Sequence, residues 1–231
     1  MKQVVLFDID GTLLLSDGSG RVSMETALRA TFGTAGPSAY RYDGKTDKLI
    51  VRETMRLEGF TDDVIDARMS EVLVHYLSGL RAELAGGTRR AYTLPGVRAI
   101  VDAVEAADDL VLGLLTGNVV DGADAKLRAV DLAPERFRVG AFGSDHEERP
   151  ALPTIARERA SALLGYDLPG HRLVIIGDTP ADVHCGRGVG ARAIAVATGG
   201  YSVDELTAHD PAATFSDLTD TARVLEAIRD A

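Results

Sequence analysis

The stretch VVLFDIDGTLLL, residues 4–15, is an apolar, β-branched run that ends in two carboxylates, Asp8 and Asp10, one residue apart. Like charges this close repel, so a cation or a reaction must justify them. Two later stretches of the same texture also end in reactive groups. LVLGLL (110–115) runs into Thr116, Gly117 and Asn118, and RLVIIG (172–177) runs into GDTPAD, with Asp178 and Asp182. In an open α/β sheet, ligands bind at the carboxyl ends of the strands. That rule gathers four carboxylates, a hydroxyl and glycine amides at one edge. Hard oxygen donors in this number suit Mg²⁺, which takes one or two carboxylates together with water and substrate phosphate. Hydroxyl and main-chain N–H groups suit phosphate oxygens. A metal ion would supply the missing positive charge.

These residues need a sheet to hold them. Strand-length apolar runs recur at 3–8, 110–115, 136–142, 172–177 and 191–197. Their continuous apolar character suits strands covered on both faces, as in a parallel sheet. Helical stripes lie between them: Val97, Ile100, Val101 and Val104; Ala123, Leu127 and Val130; Ile155, Ala156, Ala160, Leu163 and Leu164, opened by Pro153; and Ala222, Val224, Leu225 and Ile228. Such alternation predicts an α/β fold with a doubly wound parallel sheet. Residues 16–91 break the pattern. Met24, Ala27, Leu28, Thr31 and Phe32 share a helix face that ends at Gly33. Thr61 is placed to cap a longer helix with the stripe Val64, Ile65, Met69, Val72, Leu73, Tyr76 and Leu80. Strands resume only after AGGTRRAYTLPG (85–96), a Gly-rich, hinge-like stretch. The expected organisation is an α/β core from residues 1–15 and 92–231, with an all-helical domain, residues 16–91, inserted after the first strand.

Composition narrows the function classes. With 45% apolar and 26% charged residues the chain reads as an ordinary globular protein. A net charge of −10 argues against nucleic acid as a partner, because phosphate backbones attract basic faces. Cys185 is the only cysteine, which leaves no disulfide framework and no cysteine metal cluster. No basic-then-apolar leader opens the chain and no apolar run approaches a membrane span, so a soluble, cytoplasmic protein is expected. Other features carry ordinary readings. Gly186, Gly188 and Gly190 in CGRGVG lack the GxGxxG spacing and fit close packing of helix on sheet. Cys185 reads as a structural thiol, DHEE as a solvated loop, and His75, His146, His171, His184 and His209 show no metal-ligand spacing.

The ordered set DIDGT, LLTGN, the basic residue before proline in EERPALP, and GDTPAD resembles the haloacid dehalogenase superfamily. The resemblance is to its branch with a helical (C1-type) cap after the first strand, phosphoglycolate phosphatases included, and spans core and insertion. It implies a Rossmann-like core and the following roles. Asp8 would be the nucleophile that forms an aspartyl-phosphate. Asp10 would protonate the leaving alkoxide and then deprotonate the hydrolytic water. Gly11 would allow a tight turn. Thr116, the Gly117 amide and Asn118 would surround the phosphoryl oxygens. Asp8, the Asp10 carbonyl and Asp178 would hold Mg²⁺, supported by Asp182. The family usually has a lysine before the third-motif proline, where this chain has Arg149. Arginine keeps the charge but is bulkier and grips phosphate bidentately; Arg138 and Arg172, at strand starts, are placed less well.

Asp10 selects among the family's chemistries. By the same resemblance, dehalogenases lack a carboxylate there because a halide leaves without a proton, whereas an alkoxide needs an acid. A phosphatase acting on a small phosphorylated metabolite is therefore expected, with phosphomutase as the alternative and dehalogenase or a non-catalytic phosphoacceptor behind it. The cap segment YDGKTDKLI resembles the GRTD-like loop of phosphoglycolate phosphatases. Tyr42, Lys45 and Thr46, with Arg52 farther on, are the candidates to read the rest of the substrate, and Lys45 could meet a substrate carboxylate. The expected partner is a small phosphomonoester, with neither nucleic acid nor membrane, and the chain a monomer or homodimer.

Overall fold

The computed structural model describes residues 1–86 and 89–231. Gly87 and Thr88, within the hinge-like stretch, lie outside the described residues. A six-stranded parallel sheet runs through the molecule. Its strands are β1 (Gln3–Phe7), β4 (Leu110–Thr116), β5 (Val139–Phe142), β6 (Leu173–Gly177), β7 (Arg192–Val196) and β8 (Ala213–Phe215), in the order β5-β4-β1-β6-β7-β8. β1 is central, flanked by β4 and β6, so the segments that follow these three strands emerge side by side at one edge.

The alternation within β1 explains why both faces are covered. Val5 and Phe7 point into a cluster with Val97, Ile100, Val101 and Val104 of α4 (Val97–Ala106), Leu127 of α5 (Val120–Ala129), and Val224 and Ile228 of α9 (Thr221–Asp230). Val4 and Leu6 point the other way, against Leu152, Ala156 and Ala160 of α6 (Leu152–Leu164). Strand neighbours facing opposite ways is the period-two rule of an extended chain. Gly186 belongs to this packing, since a Cβ there would come 2.6 Å from Ile175 Cδ1. Two short helices, α7 (Pro180–Cys185) and α8 (Val203–Thr207), complete the layer around β6 to β8.

Between β1 and α4 the chain is helical: α1 (Ser19–Phe32), α2 (Asp47–Leu57) and α3 (Asp62–Gly86). Met24, Ala27 and Leu28 of α1, Ile50, Val51 and Met55 of α2, and Ile65, Val72, Tyr76 and Leu80 of α3 form their own apolar cluster. α1 ends at Gly33, whose φ of 81° is the left-handed conformation that stops a helix without Cβ strain. A two-stranded antiparallel ribbon, β2 (Leu14–Leu15) with β3 (Tyr92–Thr93), ties the way out of the core to the way back. Among the described residues, no helix is long and apolar enough to cross a membrane.

Several boundaries differ from the expectation. β5 begins at Val139, because Pro134–Arg136 form a 3-10 turn ahead of it. Val64, assigned to the buried stripe of α3, is 42% exposed, since Ile65 takes the inward position. β3 lies inside the stretch read as a hinge. β8 and α8 carry no strong periodicity, being too short to show one.

Candidate active site

The turn after β1 brings Asp8 and Asp10 to the sheet edge. Asp8 is buried and its N–H donates to Ile176 O at 2.9 Å, a last parallel-sheet bond. Gly11 adopts φ 81°, and a Cβ there would sit 2.3 Å from Asp178 Oδ2, so both backbone and space demand glycine. Asp178, directly after β6, is locked from three sides. Thr12 Oγ1 donates to its Oδ1 at 3.1 Å, Gly11 leaves room for its Oδ2, and Gly199 does the same from the loop after β7. Asp182 is the N3 residue of α7 in a capping box with Thr179, whose N–H and hydroxyl donate to Asp182 Oδ2 at 3.0 and 2.7 Å.

Asp8, Asp178 and Asp182 each offer a carboxylate oxygen, all within 4.8 Å of one another and all buried. Arg149, in the 3-10 turn Arg149–Ala151 before α6, pairs with Asp182 and places Nη2 3.2 Å from Asp8 Oδ1. One guanidinium therefore pairs with two of the three carboxylates. Burial pushes Asp8 up to about 6 against the opposing pull of Arg149, and burial with repulsion from Asp182 and Asp8 carries Asp178 well above the ordinary carboxylate range. Hard oxygen donors with residual negative charge fit a divalent cation such as Mg²⁺. Asp182 has one oxygen on Arg149 and the other on Thr179, so Asp8 and Asp178 are the two of the three left free to ligate a cation. The buried Arg149 Nε has no hydrogen-bond partner among the described residues.

Asp10 stands apart from this cluster. Its carboxylate accepts from Lys126 Nζ at 2.8 and 2.6 Å and from Asn118 Nδ2 at 2.8 Å. Its side chain is thus not among the grouped metal ligands, which leaves only its main-chain carbonyl for that duty. Asn118 Nδ2 also donates to Thr116 Oγ1 at 2.8 Å, knitting the TGN turn together. Gly117 is the point where the helical segment touches the sheet edge, because a Cβ there would come 2.0 Å from Lys45 O. The contact is a seam: Asp47 N–H donates to Gly117 O at 2.8 Å, Val119 N–H donates to Asp47 Oδ2 at 2.8 Å, and Lys48 Nζ donates to Ser144 O at 2.8 Å.

A cavity of about 390 Å³ opens under this seam. Asp8, Asp10, Gly11, Thr116, Gly117, Asn118, Arg149 and Asp178 line its floor, and Tyr42 and Lys45 line its helical side. Lys45 Nζ is 2.5 Å from Glu53 Oε2 and 2.6 Å from the Tyr40 hydroxyl, so its charge is already met within the protein. Thr46 does not line the cavity. It is fully buried as the N-cap of α2, accepting from Leu49 N–H at 3.1 Å and donating to Glu147 O at 2.5 Å. In this arrangement both Thr46 oxygen functions are taken up within the protein, and Arg52 is likewise occupied by Glu147 and Asp66. Cys185 is a buried thiol pushed up to about 12 by burial, in keeping with a structural role. His146 accepts from Glu148 N–H and stays outside the cavity.

Lys126, Thr12 and Asp47 were not singled out from sequence. Lys126 had a legible signal: it falls within the Ala123, Leu127 and Val130 stripe, where a polar residue interrupts a buried helix face.

The sequence pattern of the haloacid dehalogenase-like hydrolases matches residues 5–187. No curated protein sequence matches the chain. Among solved structures, a hydrolase from Pseudomonas syringae superposes with a TM-score of 0.74 at 21% identity, over 97% of this chain and 98% of that one. CbbY from Rhodobacter sphaeroides, in complex with phosphate, gives 0.73 at 19% identity over 95% and 96%. A predicted phosphoglycolate phosphatase from Haemophilus somnus gives 0.69 at 17% identity over 97% and 98%. At these identities the likeness is one of fold, and together with the match over residues 5–187 it places the chain in the haloacid dehalogenase-like hydrolase family.

Proposed function

We propose that the protein is a Mg²⁺-dependent phosphoric monoester hydrolase of a small phosphorylated metabolite, with residues 16–91 acting as a cap over the site. The observation that carries this reading is the division of labour between two carboxylates at i and i+2. Asp8 lies beside Arg149 in the buried acidic cluster, while Asp10 faces the same cavity outside that cluster, held by neutral and cationic donors. A nucleophile and a separate acid–base group are what phosphomonoester hydrolysis through a covalent intermediate requires.

An Asp8 oxygen attacks phosphorus and the bond to the leaving oxygen breaks, with Asp10 giving that oxygen its proton. Asp10, now a carboxylate, takes a proton from water as the water attacks phosphorus and releases Asp8. Arg149, the Thr116 hydroxyl and the Gly117 N–H meet charge on the phosphoryl oxygens, where preorganised donors act most strongly. Asp8 and Asp178 would hold Mg²⁺, which would supply positive charge for the transferring group. The helical seam keeps bulk water away from the intermediate.

The cavity volume supports a small substrate, and the structures of similar fold include one solved with phosphate and one with xylulose-(1,5)bisphosphate. A carboxylated substrate such as phosphoglycolate would have to draw Lys45 away from Glu53. The test is release of inorganic phosphate from p-nitrophenyl phosphate and from a panel of phosphorylated acids, sugars and nucleotides, with Mg²⁺ and with EDTA. Metal-dependent turnover that disappears in Asp8→Asn supports the reading. Turnover unaffected by EDTA, or conversion of a sugar phosphate into its isomer without phosphate release, overturns it.

A further inference from the structure

Lys126 is a buried cation in the cavity to which the reaction above gives no part. It lies on α5 and is only 4% exposed. Its ammonium has three protons and three short oxygen neighbours: Asp10 Oδ1 at 2.8 Å, Asp10 Oδ2 at 2.6 Å and Asn118 Oδ1 at 2.6 Å. None is left over for a substrate oxygen. Asn118 completes the arrangement, because its carboxamide accepts from Lys126 and donates to Asp10 Oδ2 and Thr116 Oγ1.

Stability alone accounts poorly for this pairing. The Asp10 side chain is 43% exposed, and an ion pair with a half-exposed partner contributes little. Removing a lysine from water almost completely is costly, and an apolar side chain would fill the same helix face at lower cost. What the cluster does achieve is to fix both oxygens of a carboxylate that would otherwise rotate freely about its side-chain torsions. The helical segment seals the arrangement from the far side. A Cβ at Gly20 would lie 3.4 Å from Lys126 Nζ and 3.9 Å from the Tyr76 hydroxyl, so α1 passes close over the ammonium with Tyr76 of α3 beside the same point.

We propose that Lys126 is a positioning residue for Asp10, which, with Asn118, aims the Asp10 carboxylate at the leaving oxygen and at the incoming water. This deepens the phosphatase reading and rests on it. A group that acts only through the acid must matter in proportion to how much the leaving group needs an acid. Nitrophenolate departs without a proton; an alkoxide does not.

The experiment compares kcat/KM, which reads the steps up to departure of the leaving group and not the shared hydrolysis of the intermediate, for wild type, Lys126→Met and Asp10→Asn on p-nitrophenyl phosphate and on the alkyl phosphomonoester turned over fastest in the panel. General acid–base assistance contributes roughly 10²–10⁴-fold, so Lys126→Met should lose on the order of 100-fold on the alkyl ester and less than about 10-fold on the aryl ester. In the Asp10→Asn background, adding Lys126→Met should change neither rate further. Equal losses on both substrates, or a further loss in the double variant, overturn the positioning role and leave the phosphatase reading standing. A wild type inactive on every ester overturns the phosphatase reading and this inference with it. If Lys126→Met melts at a much lower temperature than wild type, Asn118→Ala, which removes the other clamp and one of three acceptors of the ammonium while leaving its pair with Asp10, is read in its place with the same expected split.

Discussion

Arg149 Nη2 lies 3.2 Å from Asp8 Oδ1 while the same guanidinium pairs with Asp182, so one buried cation binds the first strand's carboxylate to the helix that follows β6. Removing one partner of a buried ion pair leaves its charge uncompensated, at about 3–5 kcal/mol. Arg149→Met should therefore unfold at markedly lower urea than wild type in EDTA and lose phosphatase turnover. Arg149→Lys keeps the charge without the planar fork and should recover most of the stability but only part of the rate. Urea titration of the three proteins measures the first effect and steady-state kinetics the second.

The acidic cluster predicts a metal-linked stability. A ligand that binds only the folded chain stabilises it by about 2.7 kcal/mol at a concentration of 100 times Kd. For a chain of this size each kcal/mol moves Tm by about 2–4 °C. MgCl₂ should raise the Tm of wild type and leave Asp178→Asn nearly unmoved. The same titration on Asp182→Asn should still give a shift, since both Asp182 oxygens are engaged by Arg149 and Thr179. A wild-type melting curve indifferent to Mg²⁺ would remove Asp8 and Asp178 as a cation site.

Why the role of Asp178 could be read from sequence, whereas Lys126 showed only as a polar break in a helical stripe, is a matter of range. The carboxylates and the TGN turn sit at strand ends, and a strand end is a local feature: an apolar run, then a polar residue. The topology rule for α/β sheets then brings those ends together without any tertiary detail. Lys126 reaches the site from the middle of a helix, and its partner Asp10 is 116 residues away, so only packing reveals the pairing. Thr46 shows the reverse relation between local sequence and site. Its neighbours in YDGKTDKLI look like a recognition loop, but a Thr directly before a helix is first of all an N-cap, and the local bond to Leu49 prevails.

Asp47 carries a pH dependence that its surroundings define. Burial raises it to about 6, opposed by Lys126 and the Val119 N–H, with Asp10 adding repulsion and Tyr76 beside it. Its ordinary value is 3.8, so between 3.8 and about 6 the folded chain keeps a proton that the unfolded chain releases. This contribution to stability falls as pH rises through that window, by about 3 kcal/mol in all, and the loss is complete above it. Asp47→Asn resembles the protonated form at every pH. It should flatten the decline of unfolding free energy between pH 4 and 7 relative to wild type and be at least as stable at pH 7.5. Parallel pH profiles for the two proteins would place Asp47 in a more hydrated setting than its burial indicates.

Gly117 tests whether the seam between the helical segment and the sheet edge serves turnover. A Cβ there would lie 2.0 Å from Lys45 O and 3.0 Å from Thr46 Cα, both main-chain atoms that cannot swing aside. The apolar clusters on either side of the sheet and among the three helices do not include this residue. Gly117→Ala should therefore hold the helical segment off the site while leaving each core intact. The expected outcome is a Tm close to wild type, a loss of about 10–100-fold in kcat/KM from misplacement near the chemistry, and faster proteolysis within residues 40–47. Unchanged kinetics with a collapsed Tm would mean that the contact holds the fold together and has no part in closing the cavity.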